Sequence, residues 1–249
     1  RKTKIICTIG PASESEAVFT QMCKAGLNVA RLNFSHGNHE EHLKRIRTIR
    51  KVREELKLPI PIMLDTKGPE YRIGVFKDHR VTLADGQDFT FTTEDIEGGE
   101  TRVSVSYKGF AKDLRKGDRV LVNNGLVVCT VKEINGNDVL CRVDIGGELS
   151  DRKSMNFPGR LMSNAFLSEQ DKKDLLFGIE QDVDYVAASF MSTKEDALEM
   201  RNFLDENGGQ DIDIIAKIEN RSGVDNVEAI SEVVDGIMVA RGDLGVEIP

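Results

Sequence analysis

Residues Ile214-Ile215-Ala216-Lys217-Ile218-Glu219-Asn220 read as a buried β-strand that ends in a cation and an anion. Side chains alternate across a strand, so Lys217 and Glu219 are expected on the same side of it. Two charges on an apolar strand are costly unless they face a ligand, a metal or each other. A second apolar run, 236–240, ends in Arg241-Gly242-Asp243, and a third, 60–64, ends in Asp65-Thr66-Lys67-Gly68-Pro69-Glu70. Parallel α/β architectures bind ligands at the C-terminal ends of their strands. Charge collected at the same end of several buried strands therefore marks a candidate active site.

The chemistry open to these groups is phosphoryl and metal chemistry. Glu219 and Asp243 end adjacent predicted strands, and two carboxylates beside open space suit Mg²⁺, which completes its octahedron with water and substrate oxygens. Lys217 beside such an ion could stabilise charge on a transferring phosphoryl group. The plain alternative is an internal Lys217–Glu219 ion pair that braces a barrel. Arg31, Asn33 and Ser35 alternate and so share a face. Arg31 suits a phosphate, while Asn33, Ser35, Asp65 and Thr66 could ring a monovalent cation with oxygens. Strand-end turns and helix caps account for those four equally well. His36, His39 and His42 fall at i, i+3, i+6. His39 and His42 are expected as surface residues of a solvated helix face, and His36, in the loop before it, as a nucleotide contact. The run Arg45, Arg47, Arg50, Lys51, Arg53 is expected on the outer face of the same helix. No Cys/His metal spacing and no Ser/His/Asp order is present.

The elements that must hold these groups alternate strand and helix. Predicted strands at 4–9, 27–32 and 60–64 are separated by a helix capped by Ser13 with Glu16 and ended by Gly26, and by a long helix capped by Asn38 with Leu43, Ile46, Ile49, Val52 and Leu56 at helical spacing. From Tyr71 to Leu149 the pattern becomes short alternating strands with Asp85-Gly86, Asn124-Gly125 and Asn135-Gly136 turns. Strand–helix alternation resumes at Ser168, which with Asp171 caps a helix to about Glu180. A strand at 184–189, a helix opened by Thr193 and Asp196, the Lys217 strand, a helix near 224–233 and the 236–240 strand follow. This predicts an α/β fold: a (β/α)8 TIM-type barrel, incomplete at about six strands, with an inserted small all-β barrel domain. The predicted barrel portions are 1–69 and 166–249, and the insertion is 70–165. No helix is expected after the sixth strand, and the opening Arg1-Lys2-Thr3, without Met, points to a missing N-terminal piece.

Bulk properties set the class. The chain has 249 residues, 39% apolar and 31% charged, with formal net charge −8. That is ordinary for a globular protein, and the acidic balance gives no support to nucleic-acid binding. No apolar run is long enough for a membrane span, and no signal-peptide pattern is present. Four cysteines without CxxC spacing are expected as buried reduced thiols in a cytoplasmic protein.

Four segments carry a resemblance. Ala30-Arg31-Leu32-Asn33-Phe34-Ser35-His36-Gly37, Leu64-Asp65-Thr66-Lys67-Gly68-Pro69-Glu70, Lys217-Ile218-Glu219-Asn220 and residues 238–249 (MVARGDLGVEIP) closely resemble pyruvate kinase, in the family's order and with a β-rich insertion where the family has its B domain. The resemblance implies transfer of the phosphoryl group of phosphoenolpyruvate to ADP, giving pyruvate and ATP. It implies Arg31 and Lys217 as phosphoryl-holding catalytic residues, and Glu219 and Asp243 as ligands of Mg²⁺ (or Mn²⁺). Backbone amides at Gly242 and Asp243 would meet the substrate carboxylate. Asn33, Ser35, Asp65 and Thr66 would bind K⁺, with Glu70 the residue type that accompanies K⁺ dependence. Pro11, Asn33, His36, Arg72 and Lys153 would contact the nucleotide, and the insertion would close over the site as a lid. A homotetramer is implied as well. The sequence departs from the family at Arg152–Gly159 (RKSMNFPG) and at Asn164-Ala165, where the family has Leu-Pro. Two other readings compete. One is an Mg²⁺-dependent barrel lyase acting on pyruvate or phosphoenolpyruvate, which needs neither the K⁺ loop nor a β-rich lid. The other is a non-catalytic fragment whose open barrel binds substrate without turnover.

Overall fold

The computed structural model describes residues 2–248. Arg1, and Pro249 at the end of the last motif, lie outside the described residues. The chain divides into two compact units. The first comprises Arg1–Gly68, Phe166–Ile218 and Asn226–Met238. The second comprises Pro69–Ala165 together with Glu219–Asp225 and Val239–Pro249, two short stretches that the sequence reading assigns to the barrel.

The first unit is α/β and is an incomplete barrel. Its strands are β1 (Ile6–Thr8), β2 (Val29–Asn33), β3 (Ile62–Asp65), β4 (Tyr185–Ala188), β5 (Asp213–Ile218) and β6 (Gly236–Val239), and they neighbour one another in chain order. Every register from β1 to β5 is parallel. Helix α1 (Glu16–Ala25) follows β1, α2 (His39–Leu56) follows β2, α3 (Glu169–Glu180) precedes β4 and α4 (Lys194–Glu206) precedes β5. Burial on both faces explains why β3 and β4 are almost wholly apolar. Close packing sets the helix distance: a Cβ added to Gly178 in α3 would come within 2.7 Å of Leu64 Cδ1 in β3.

One device recurs at the strand starts. Asn28 Oδ1, Asp184 Oδ2 and Asp235 Oδ2 accept the backbone N–H of Ile5, Ile62 and Ile214 at 2.8, 2.7 and 2.8 Å. In return the backbone N–H of each polar residue donates to the carbonyl of the same isoleucine, at 2.9 Å in all three pairs. Each clamp joins neighbouring strands at their N-terminal ends and sets their register, so the strand ends opposite are placed side by side.

Helix starts follow the sequence with one correction. Asn38, Ser168 and Thr193 cap α2, α3 and α4, the last two with full capping boxes. Helix α1, however, is capped by Ser15, whose side chain accepts the Val18 N–H, and not by Ser13. Ser13 is spent on a turn, its Oγ accepting the Gly10 N–H at 3.0 Å. The helix expected near 224–233 is two short ones, Arg221–Asp225 and Val227–Ser231, interrupted at Asn226, whose side chain donates to the Ser192 carbonyl. A helix expected to be absent, Arg241–Glu247, follows β6.

The insertion is all-β but for one helical turn, Phe110–Asp113, that alternation did not foretell. A seven-stranded sheet and a two-stranded ribbon share one apolar core that includes Phe76, Phe89, Phe91, Phe110 and Leu149. Asn124-Gly125 and Asn135-Gly136 join antiparallel neighbours, as their turn chemistry predicts. Cys129 and Cys141 lie inside this core, and burial pushes the Cys129 thiol up to about 12, which makes it unreactive.

Candidate active site at the strand ends

The centre is Asp65, the last residue of β3 and fully buried. Its Oδ2 accepts Arg31 Nε at 2.5 Å, and its Oδ1 accepts Lys217 Nζ at 2.9 Å. Three strands thus meet through one carboxylate: Arg31 comes from β2, beside β3, and Lys217 from β5, with β4 between β3 and β5. Arg31 also donates to Thr8 Oγ1 at the end of β1. Lys217 is almost completely buried, whereas the Arg31 side chain stays about a quarter exposed. A guanidinium and an ammonium held side by side on one carboxylate offer donors of the kind that suit an anionic ligand.

Ser189 completes the cluster, and sequence reasoning gave it no role. It follows β4, its hydroxyl accepts Lys217 Nζ at 2.7 Å and donates to the Thr66 carbonyl at 2.7 Å, and its own N–H donates to Thr66 Oγ1 at 3.0 Å. Phe190, the next residue, has φ 57°, a left-handed conformation that is uncommon for a bulky side chain. The signal in the sequence is a serine just past an apolar strand, one step beyond the Ala188–Ala216 pair and so level with Lys217. Gly68 is needed here as well: its φ is +69°, and an added Cβ would lie 2.7 Å from Ser189 Cβ.

The β2 end is shaped by local hydrogen bonds. Asn33 Oδ1 accepts the Ser35 N–H at 3.0 Å, and the Phe34 N–H donates to the Asp65 carbonyl at 2.9 Å. His36 is exposed, and its carbonyl accepts His42 Nε2 at 2.9 Å. His42 is not a surface residue. It is buried, stacked on Phe34 with centroids 4.0 Å apart, and in reach of Arg45, which itself is buried and paired with Glu14 at 2.7 Å. His39 stacks on Phe177 and pairs with buried Asp174 at 2.6 Å. The charged neighbours in sequence hid an inward face that uses rings and ion pairs in place of aliphatic side chains. Burial, with Arg45 adding to it, holds the His42 pKa below its ordinary value.

The remaining candidates lie as follows. Pro11 is exposed. Arg72 is exposed and tied to Glu70 and to the Arg152 carbonyl, while Lys153 is half-buried and its carbonyl accepts the Ile73 N–H. Glu219 is buried; Gly242 and Asp243 are exposed in the short helix Arg241–Glu247, and a Cβ added to Gly242 would meet nothing within 4 Å. Among the described residues, no group of three or more His, Cys, Asp or Glu side chains gathers in a metal-binding cluster. No described helix is long and apolar enough to cross a membrane.

Parallel strands that gather two cations on a buried carboxylate at their C-terminal ends define an α/β-barrel domain with its charged groups at the strand ends. The family model "Pyruvate kinase, barrel domain" matches residues 1–249, and the chain belongs to the pyruvate kinase family. It is similar to the pyruvate kinases of Clostridium acetobutylicum (49% identical over 250 residues), Clostridium perfringens (47% over 250) and Bacillus licheniformis (48% over 251). These alignments cover 100% of this chain and 53%, 53% and 43% of those proteins, so the chain spans about half the length of the curated relatives it matches.

Proposed function

We propose that a protein carrying this chain transfers the phosphoryl group of phosphoenolpyruvate to ADP, yielding pyruvate and ATP in the cytoplasm. The observation that carries this reading is the Arg31–Asp65–Lys217 cluster, in a chain of the pyruvate kinase family. In the reaction the bond from phosphorus to the enol oxygen breaks, a bond to the terminal phosphate oxygen of ADP forms, and the enolate takes up a proton at carbon.

Lys217 and Arg31 hold the transferring group. Charge spreads over the phosphoryl oxygens in the transition state, so cations fixed before the reaction stabilise it without reorganising. Asp65 and Ser189 fix the ammonium by two hydrogen bonds. A Lys free in solvent would lose side-chain entropy at that moment. Backbone amides at Gly242 and Asp243 receive the substrate carboxylate, and the open space at Gly242 leaves its backbone accessible. Pro11, Asn33, His36, Arg72 and Lys153 contact the nucleotide.

The donor sets fit two cations by their chemistry. Glu219 and Asp243 are carboxylates of the kind Mg²⁺ takes, and the ion, when bound, neutralises charge on phosphoryl oxygens. For K⁺, Asn33, Ser35, Asp65 and Thr66 offer hard oxygen donors. Asn33 Oδ1 is already oriented by the Ser35 N–H, and Thr66 is buried and fixed by Ser189. A homotetramer is the assembly we infer.

The test is pyruvate release from phosphoenolpyruvate and ADP, measured in a coupled assay on a protein of the relatives' length bearing this chain. Lys217→Met is expected to lower kcat by about 10³-fold or more, the size of effect a cation on a transferring phosphoryl group has. Folding should persist, because Arg31 still neutralises Asp65. Near-normal turnover in the variant would overturn the role of Lys217.

A further inference from the structure

The chain leaves the first unit after Gly68 and returns to it at Phe166. One carboxylate touches both crossings. Asp171, the N3 residue of α3, is buried. Its Oδ2 accepts the Ser168 N–H at 3.2 Å and the Ser168 hydroxyl at 2.5 Å, on the returning side. Its Oδ1 accepts the Gly68 N–H at 3.1 Å, on the outgoing side, 103 positions earlier in sequence. A capping box needs only one carboxylate oxygen. Here the second oxygen is spent on the loop that carries Asp65 and Thr66.

The rest of that loop is held from another direction. The Thr66 N–H donates to the Ala187 carbonyl, and Ser189 grips Thr66 through both its hydroxyl and its backbone. Gly68 is the last residue of this arrangement, and its left-handed backbone turns its N–H toward Asp171. Within the second unit the same two crossings are tied separately, Tyr71 to Asn164 at 2.6 Å and Asp113 to Ser163 at 2.8 Å. Asn164, one of the departures from the family pattern, is therefore used as a hydrogen-bond acceptor. Each crossing is pinned on both sides, with only Pro69-Glu70 on the way out and Ala165–Leu167 on the way back between the pins.

We propose that Asp171 is a positioning residue: a buried clasp that holds both ends of the insertion and thereby fixes the Asp65–Gly68 loop under Lys217. The role requires a carboxylate. Three donors converge on it from neutral groups, and the N-terminal end of α3 favours the negative charge. An amide would turn its NH₂ toward one of two backbone N–H groups and leave that donor buried without an acceptor.

Amide hydrogen exchange on the chain tests the clasp without recourse to catalysis. The Gly68 amide is expected to be protected in the wild type. Asp171→Asn is expected to speed its exchange at least about tenfold, the factor that corresponds to about 1.4 kcal/mol, while Ser168→Ala leaves Gly68 close to wild-type protection. Exchange of Gly68 at the rate of an open chain in the wild type would overturn the clasp and needs no variant. Equal loosening of Gly68 by Ser168→Ala would reduce Asp171 to a helix cap. The kinetic arm rests on the proposed function: in a protein of the relatives' length, Asp171→Asn should lower kcat about tenfold and raise the K⁺ concentration for half-activation, with the KM for ADP within twofold. Unchanged kcat and K⁺ dependence alongside faster Gly68 exchange would overturn the positioning role. Absence of pyruvate formation in the wild type would fail the proposed function and leave the exchange result standing.

Discussion

Ser189 is the residue on which the cluster turns. Its hydroxyl receives the Lys217 ammonium and passes a hydrogen bond to Thr66, so it couples the cation proposed to hold the phosphoryl group to the loop proposed to bind K⁺. Ser189→Ala removes both bonds, while the hydrogen bond from the buried Lys217 to Asp65 stays. The net cost to stability is expected at about 1–3 kcal/mol, the range for stranding a buried partner, read from urea midpoints. The larger effect is expected in turnover, about tenfold lower kcat, because an ammonium with one fewer anchor is less fixed when charge develops. Wild-type kcat in this variant would show that the Ser189 hydroxyl does not set the Lys217 position.

Helix α2 shows how an element can carry a pattern that sequence reading inverts. Ile46, Ile49 and Val52 announced the buried stripe correctly. In sequence Glu40, Glu41 and Lys44 around the histidines give the first turns a solvated pattern. The fold uses His42 and Arg45 there as core, with Phe34 and Glu14 as partners from elsewhere in the chain. No local period reveals partners that distant. His42 Nε2 donates to the His36 carbonyl and Arg45 reaches Nδ1 at 3.5 Å, an arrangement that fits the neutral ring. The folded pKa is therefore depressed below 6.5, with burial the main cause. Between 6.5 and that lower value the unfolded chain binds the proton and the folded chain does not, so stability rises with pH in this window and is lost as pH falls through it. The slope from this one group cannot exceed about 1.4 kcal/mol per pH unit. Urea midpoints for the wild type and His42→Gln, measured from pH 7.5 to 5, should converge as the pH falls. A constant difference across that range would refute a neutral buried His42.

What was legible follows from how local each cause is. Caps at Asn38, Ser168 and Thr193, the hairpin turns Asn124-Gly125 and Asn135-Gly136 and the six apolar strands depend on neighbours within a few residues, and all were readable, whereas Asp85-Gly86 joins strands that do not pair with each other. Arg31, Asp65 and Lys217 were singled out because charge at the end of an apolar strand is rare enough to need a reason. Their mutual contacts, the strand-start clamps of Asn28, Asp184 and Asp235, and the second oxygen of Asp171 depend on pairs 21 to 152 positions apart. Such pairs leave no periodic trace in one sequence.

At the scale of the molecule, the sheet has two ends. Among the described residues the strand order runs from β1 to β6 without closing on itself, whereas an eight-stranded barrel has no such ends. Apolar side chains lie open there: Ile6 is 45% exposed in β1, and Val239 is 63% exposed in β6. An unpaired edge that also carries exposed β-branched residues is a template for pairing with another chain. The chain by itself is therefore expected to self-associate in a concentration-dependent way, detected as a rising weight-average mass in sedimentation velocity between about 1 and 100 μM, the range over which exposed strand edges become aggregation-prone. Val239→Lys places a charge on the β6 edge, where charged side chains oppose strand addition, and should shift the association to at least tenfold higher concentration. Val18, exposed on helix α1 and not part of an edge strand, supplies the control: Val18→Lys should leave association unchanged. A monomer across the whole range would show that the edges are protected despite their exposure. An equal effect of both substitutions would trace the association to net charge, not to the edges.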